Sequence, residues 1–257
     1  MSVLLRKEFL ELVRTRRFLA LPLVFVFFGI SGPAVIRLLP LLLEGAATEG
    51  MQIVLPETGP GDGFLQYLEL ARQLGLLAAI VVFMNIIAGE RKDGILAVLF
   101  VKPVRRFSYL AVRFGVNGAY VIVSMLLGAL VAVLYAGLLL GPPEVGAMMA
   151  AACLYAAYSL LVFSWTFFFS ALVRSPAAAA GLSVIPLFVF PFLGTFWAPL
   201  GTYGPYGVLA AGGALIGTPT SPAAALGVEA FASLGLNLGL SLLLLVATYA
   251  ALRKAEL

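Results

Sequence analysis

The chain has 257 residues, of which 62% are hydrophobic and 11% are charged, and its net charge is +4 at pH 7. Its mean hydropathy of +1.08 is far above that of soluble domains, and no polar stretch is long enough for a second domain. The absence of histidine and the single cysteine exclude the commonest general base, the commonest metal ligand and an intrachain disulfide. We therefore expect one integral membrane domain over residues 1–257, with no catalytic residue, metal site or cofactor of its own.

Long stretches without charge predict membrane-spanning helices, because about 20 apolar residues in a helix cross roughly 30 Å of hydrocarbon. The longest such stretch runs from Ser175 to Val228. The fold class that we expect is all-α, with six transmembrane helices. Their approximate ranges are 18–43, 73–89, 114–140, 145–173, 177–200 and 231–252.

The first predicted element is an amphipathic helix that precedes the first span. Apolar residues recur at helical spacing on one face, and charged residues lie on the other. The apolar face contains Leu5, Phe9, Leu12 and Val13, and the charged face contains Lys7, Glu8, Glu11 and Arg14. Such a helix suits the headgroup boundary, with its charges in water. A basic flank that only fixes topology is the alternative.

The loop and helix before the second span carry a possible local ion pair. Residues 44–67 are rich in glycine, proline and acids, which indicates an external loop with a short helix leading into the span. Glu69 stands three residues before Arg72, so the two side chains are expected to pair on a helix. A role in gating and a role as an interfacial anchor both remain open for Arg72.

The connection between the second and third spans has an unusual pattern. Four charged residues from Glu90 to Asp93 end the span, an apolar run follows, and Pro103 disfavours helix at Lys102. This predicts a short amphipathic helix closed by a basic turn. Such a helix suits a docking element, with apolar side chains for a pocket and charges at its rim, although a purely topological loop is the alternative.

Residues 201–230 are apolar but are interrupted by glycines and prolines. The pieces between these breakers are shorter than ten residues, about half of the length that a crossing needs. We expect a re-entrant or surface segment here, because a seventh crossing would place Arg253 and Lys254 on the side opposite to the other basic residues. With six spans, the basic residues favour both termini in the cytoplasm.

Small and polar residues within the spans have two possible roles. Gly235 and Gly239 form a G-x-x-x-G pattern, and Ser124, Gly128 and Ala132 repeat at the same spacing. These residues suit helix contacts either within one subunit or between subunits. Polar side chains in the spans are either pathway candidates or bonded to their own helix; they are Asn85, Asn117, Ser159, Ser164, Thr166 and Ser170.

The stretch G-E-R-K-D-G-I-L-A-V-L-F-V-K-P-V-R-R, residues 89–106, resembles the corresponding stretch of ABC-2 type ABC transporter permeases. The amphipathic Arg6-Lys7-Glu8-Phe9 start, the six-span plan, the broken segment before the last span and the basic tail are similar as well. The resemblance implies that residues 94–103 form a coupling helix held in a cleft of an ATPase, and that the first helix flanks that ATPase.

The resemblance also assigns residues to these contacts. The residues implied for coupling to the ATPase are Glu90, Arg91, Asp93, Gly94, Leu96, Leu99, Phe100, Pro103, Arg105 and Arg106. Those assigned to the interfacial helix are Arg6, Lys7, Phe9, Leu12 and Arg14. No substrate-binding residue is assigned.

The implied assembly has a separate ATPase chain that binds ATP and Mg²⁺, since this chain has no phosphate-binding loop. A second permease copy or a close homologue would stand beside it, in contact with membrane lipids of the cell membrane and without nucleic acid. The expected function is export of an amphipathic or lipid-like substrate. A membrane scaffold of an ATPase-linked maturation complex, without bulk transport, is the alternative.

Overall fold

A computed structural model describes residues 2–14, 17–46, 58–92, 106–216 and 226–254, and these residues are helical with short turns between helices. Six helices within these ranges are long and apolar enough to cross a membrane. The predicted all-α, six-span class is therefore confirmed. The predicted coupling helix lies outside the described residues.

The helices are labelled in chain order. They are α1 (Ser2–Arg14), α2 (Arg17–Ala46), α3 (Pro60–Leu70), a π-helical turn (Ala71–Gly75), α4 (Leu76–Phe83), α5 (Ala88–Lys92), α6 (Arg106–Leu140), α7 (Val145–Leu172), α8 (Pro176–Phe196), α9 (Ala198–Tyr203), α10 (Gly207–Ala214) and α11 (Val228–Lys254). The first, third, fourth, fifth and sixth spans correspond to α2, α6, α7, α8 and α11, and the second span runs from α3 to α5.

Three predicted boundaries differ from the structure by four residues or more. The second span begins at Pro60 rather than residue 73, because the short helix expected before it is continuous with it through the π-helical turn. The third helix begins at Arg106 rather than residue 114, since the charge of Arg113 is neutralised within the bundle. The fifth ends at Phe196 rather than residue 200, where Trp197 is extended and Pro199 lies in the first turn of the next helix.

The fourth span, α7, is the centre of the bundle. About 67% of the residues in its most apolar stretch are buried, compared with 17% in the fifth span. Two phenylalanines on α7 pack with rings from two neighbouring spans: Phe163 lies 4.9 Å from Phe83 and Phe167 lies 5.5 Å from Phe114, between ring centroids. Such aromatic contacts fix the second and third spans against α7.

Close packing of the first and third spans depends on glycine. A Cβ atom on Gly128 would lie 2.6 Å from the carbonyl oxygen of Phe25, and one on Gly29 would lie 2.5 Å from that of Gly128. Backbone contact of this kind is what small residues permit in membranes. Gly128 therefore serves packing within the subunit, whereas Gly235 and Gly239 are exposed and have no heavy atom within 4 Å of such a Cβ.

The segment before the last span forms two short helices, α9 and α10, of six and eight residues. Neither is long enough to cross a bilayer. The last span holds the turn between them, because Ser233 Oγ donates to the Gly204 carbonyl at 2.7 Å and Asn237 Nδ2 donates to the Pro205 carbonyl at 3.1 Å. The described part of this segment is thus packed onto the bundle as non-spanning helices.

Candidate functional site: a buried charged junction

Four side chains from three elements meet where the second span ends. We call this cluster the charged junction; it consists of Glu8 from α1, Glu90 from α5, and Tyr109 and Arg113 from α6. The two α6 residues are four apart, so they lie on one face of that helix. Arg113 is 5% exposed and Glu90 is 15% exposed, which means that these charges are largely removed from solvent.

Glu90 is held by direct bonds to α6. Arg113 Nη1 donates to Glu90 Oε1 at 2.5 Å, and the Tyr109 hydroxyl donates to Glu90 Oε2 at 2.5 Å. Arg113 also donates to the Tyr109 hydroxyl oxygen. Each carboxylate oxygen therefore has a donor of its own, which is the arrangement that makes a buried ion pair tolerable.

Glu8 joins the junction from the first helix at longer range. Its Oε2 atom lies 3.9 Å from Arg113 Nε, which is an ion pair rather than a hydrogen bond. Within the described ranges, neither Glu8 Oε1 nor Arg113 Nε has a hydrogen-bond partner. Burial raises the pKa of the Glu8 carboxyl above its ordinary value, while the positive charge of Arg113 opposes this change.

The buried position of Glu8 corrects one expectation. The amphipathic pattern placed Glu8 with Lys7 and Glu11 on a face in water, but Glu8 is only 4% exposed. The reason is that α1 packs its Glu8 side against Arg113 on α6, whose positive charge offsets part of the cost of burying the carboxylate. A cavity of about 30 Å³ lies beside these groups, between α1 and the second and third spans.

Arg91, the residue after Glu90, contacts a different span. Its Nη1 atom donates to the Ala171 carbonyl at 2.9 Å and approaches the Leu172 carbonyl at 3.4 Å. The last carbonyls of a helix have no partner within the helix, and a cationic side chain satisfies them. The short helix α5 is therefore fixed to α6 by one residue and to the end of α7 by the next.

A hydroxyl on α7 bonds the backbone just before α5. The second span is not helical from Met84 to Ile87, and Ser170 Oγ accepts from the Ile87 and Ala88 amides at 3.0 and 2.9 Å. Ser170 Oγ also donates to the Met84 carbonyl at 3.0 Å. The contacts that position α5 thus include backbone as well as side chains.

The remaining polar residues of α7 behave differently from Ser170. The hydroxyls of Ser159, Ser164 and Thr166 each donate to the carbonyl four residues earlier in their own helix. On α6, Asn117 donates to the Arg113 carbonyl in the same way. The alternative in which polar side chains bond their own helix is confirmed for these four, and it is wrong for Ser170.

Only part of the residue set assigned from the sequence falls in the described ranges. Glu90 and Arg91 lie in the junction region, and Arg106 begins α6. The others lie outside the described residues; they are Asp93, Gly94, Leu96, Leu99, Phe100, Pro103 and Arg105. Their contact with an ATPase stays a prediction.

The residues assigned to the interfacial helix all lie on α1. Arg6, Lys7, Phe9 and Arg14 are exposed, and Leu12 is partly buried against the core. The exposed apolar side chains of Leu5, Phe9 and Val13 are available to a membrane surface. The position of α1 at that surface stays a prediction.

Sequence reasoning missed Tyr109 and Arg113 as junction residues, and it missed Ser170 as a contact of the second span. Arg113 was counted only among the basic residues of the second connection, although a usable signal existed: Tyr109 and Arg113 share a helical face just after a stretch that begins with Glu90. The partner of Ser170 is 83 residues away in the chain, so no local pattern indicates it.

A second Arg–carboxylate pair lies nearer the opposite end of the second span. We call Glu69 and Arg72 the local pair, because both belong to the same span and Arg72 Nη2 lies 2.5 Å from Glu69 Oε2. The predicted pairing is confirmed. The Arg72 guanidinium also stacks over the ring of Tyr206, 5.6 Å from its centre. In the described part of the chain, acidic, cysteine and histidine side chains form no group of three or more that suits a metal ion.

Six helices that are long and apolar enough to cross a membrane define the class as a multi-span α-helical membrane protein. Comparison with known families makes this specific: residues 2–257 match the family described as ABC-2 family transporter protein, so the chain belongs to that family. It is also 25% identical over 186 residues to the uncharacterized transmembrane protein YxlG of Bacillus subtilis (strain 168), which covers 72% of each chain. The resemblance drawn from the sequence is thereby confirmed.

Proposed function

We propose that this chain is the permease subunit of an ABC-2 transporter driven by a separate ATPase chain that binds ATP and Mg²⁺. The observation that carries the proposal is that two adjacent residues fix the end of the second span to two other spans: Glu90 through the charged junction, and Arg91 through the end of the fourth span. Residues 93–105 connect α5 to α6. A displacement of that connection is therefore passed to the third and fourth spans as a rigid-body movement, because packed helices shift rather than stretch.

Membership of the ABC-2 family supports a transport subunit and not an enzyme. We propose that α1 and the junction face the cytoplasm, so that both termini are cytoplasmic. This orientation follows the basic residues near both ends and places the junction beside the ATPase. Two permease subunits, identical or closely homologous, would then stand above two ATPase subunits.

The direction of transport and the class of cargo form a separate proposal. We propose export on the resemblance to ABC-2 type permeases alone. We propose an amphipathic or lipid-like cargo because the described spans have no row of charged side chains through the centre of the bundle. The charges of the described spans are confined to the charged junction, the local pair and the span ends. Ion conduction normally uses charged rings or many carbonyl ligands.

The test is co-purification of the chain with candidate ABC ATPases from the same genome, together with measurement of ATP hydrolysis in lipid nanodiscs. Glu90→Ala should weaken association or lower permease-dependent hydrolysis severalfold, because it frees α5 from α6. Glu69→Ala is the matched control, since it removes a carboxylate that also pairs with an arginine but lies in the local pair.

Two outcomes would contradict the proposal. The first is that no ATPase associates with the wild-type chain. The second is that the Glu90→Ala and Glu69→Ala complexes both hydrolyse ATP at the same rate as the wild-type complex. An ATPase that binds while a reconstituted lipid-export assay shows no movement would favour the scaffold alternative.

A further inference from the structure

The second span is interrupted where its own sequence gives no reason for a break. Helix α4 ends at Phe83 and α5 starts at Ala88, yet residues 76–88 contain neither proline nor glycine. Sharp breaks in helices arise from proline, from glycine, from π-bulges or from a group inserted into the hydrogen-bond ladder. The last of these is the one present here.

The hydroxyl of Ser170 occupies one rung of the ladder. In a continuous helix, the Ala88 amide would donate to the Met84 carbonyl four residues earlier. Instead, Ala88 donates to Ser170 Oγ at 2.9 Å, and Ser170 Oγ donates to the Met84 carbonyl at 3.0 Å. A side chain from the fourth span has therefore entered a backbone bond of the second span.

The neighbouring rung is displaced as well. The Phe83 carbonyl accepts from the Ile86 amide at 2.9 Å, which is a tighter turn than an α-helix makes. The Ile87 amide, which would have used that carbonyl, donates to Ser170 Oγ at 3.0 Å. One fully buried hydroxyl thus provides partners for three backbone groups that the break would otherwise leave unsatisfied.

The direction of α5 depends on this break. The helical ladder resumes where the Gly89 amide donates to the Asn85 carbonyl and the Arg91 amide donates to the Ile87 carbonyl. Glu90 then reaches Arg113 at 2.5 Å, and Arg91 reaches the Ala171 carbonyl at 2.9 Å. A straight continuation of α4 would change the direction of both side chains.

We propose that Ser170 is a positioning residue: its inserted hydroxyl bends the second span at residues 84–87 and so places Glu90 and Arg91 against the third and fourth spans. Its importance for transport rests on the proposed function, because only an ATPase-driven permease needs the end of this span as a coupling element. The bend itself is independent of the proposed function.

The test compares backbone behaviour in three variants of the full chain, reconstituted alone in lipid nanodiscs. Ser170→Ala removes the inserted hydroxyl, and Ser170→Thr retains one. Ser164→Ala is the matched control, because Ser164 is a buried serine on the same helix whose hydroxyl bonds only within that helix among the described contacts. Hydrogen exchange of the Ile87 and Ala88 amides and the backbone carbon shifts of residues 84–88 are measured.

Ser170→Ala should speed exchange of both amides by about tenfold or more, since each loses its partner. If the ladder closes instead, the carbon shifts of residues 84–88 should become those of a continuous helix, which equally shows that the hydroxyl produced the bend. Ser170→Thr and Ser164→Ala should resemble wild type. Unchanged exchange together with unchanged shifts in Ser170→Ala would overturn the proposal.

A second measurement separates positioning from general stability. Glu90→Gln should lower the melting temperature of the wild-type chain, and its effect should fall to about half or less in the Ser170→Ala background, because Glu90 is no longer aimed at Arg113. A merely structural role for Ser170 predicts additive effects, and that result would contradict the proposal. If Ser170→Ala does not fold, Ser170→Cys, which keeps a weaker donor, replaces it.

These results are independent of the ATPase. The experiment contains no second chain, so its failure would leave the proposed function standing. Conversely, if the chain binds no ATPase, the bend produced by Ser170 would still be present, but Ser170 would have no role in coupling.

Discussion

The charged junction and the local pair use the same chemistry in different surroundings. In both, an arginine nitrogen lies 2.5 Å from a carboxylate oxygen. In the local pair the two residues are three apart on one span, and Glu69 is 45% exposed. In the junction the partners come from different elements, and Arg113 is 5% exposed.

The difference shows that distance alone does not measure what an ion pair does. A partly exposed pair on one helix contributes little, because solvent at the exposed carboxylate weakens its attraction to the arginine. A buried pair between elements makes each element dependent on the other, since removal of one charge leaves the second uncompensated. The junction is thus a connection between elements, whereas the local pair is mainly a feature of one span and its contact with Tyr206.

The largest expected effect comes from Arg113→Met, which removes the charge and retains much of the side-chain volume. Glu90 then keeps a carboxylate with no countercharge, and we expect a loss of about 3–5 kcal/mol in the free energy of unfolding. Denaturant unfolding in detergent micelles measures it, with Arg72→Met as the control. Equal losses of stability in the two variants would show that the charged junction stabilises the protein no more than the local pair does.

Tyr109→Phe should have the next largest effect. It deletes a hydroxyl that donates to Glu90 and accepts from Arg113, and we expect a loss of about 1–3 kcal/mol. The exposed Tyr203 provides the control, Tyr203→Phe, which should stay within about 0.5 kcal/mol of wild type. A Tyr109→Phe protein as stable as this control would remove Tyr109 from the junction.

Glu8 should make stability depend on pH in a direction opposite to that of an ordinary surface carboxylate. Because burial raises its pKa in the folded state above 4.5, its stabilising contribution is complete below that value and is lost as pH rises through the folded pKa. The stability of wild type relative to Glu8→Gln should therefore fall as pH rises above about 4.5. Four charged side chains lie near Glu8: Lys7, Glu11, Glu90 and Arg113.

The measurement is a series of unfolding curves of both proteins from pH 4 to pH 8, and their difference isolates Glu8 from the other titrating groups. A difference that grows in favour of wild type as pH rises would mean that Arg113 outweighs burial at Glu8. In that case α1 would be fixed to the junction as firmly as α5.

Glu69→Gln should have the smallest effect, below about 1 kcal/mol, because Glu69 is partly exposed and its partner is on the same span. The effect should decrease further at high salt, since water-exposed charges are screened. Unfolding curves at about 0.1 M and 1 M NaCl test this. A loss comparable to that of Arg113→Met would make the local pair a second connection between elements.

The sequence was sufficient for the six spans and the family, because charge-free length and the stretch that begins with Glu90 are local signals. It was also sufficient for Glu69 and Arg72, which are one helical turn apart. It was insufficient for the break at residues 84–87, since the cause of that break is a serine on another span. The burial of Glu8 could not be predicted either, because an amphipathic pattern indicates which side chains share a face but not whether that face contacts water or another helix.

The adjacency of Glu90 and Arg91 has one more consequence. Successive residues on a helix point about 100° apart around its axis, and these two are restrained by bonds to different neighbours, α6 and α7. A single anchor would permit α5 to roll about its axis, but two anchors at such an angle oppose rolling. Torque applied to this helix is therefore delivered to the third and fourth spans rather than lost as free rotation.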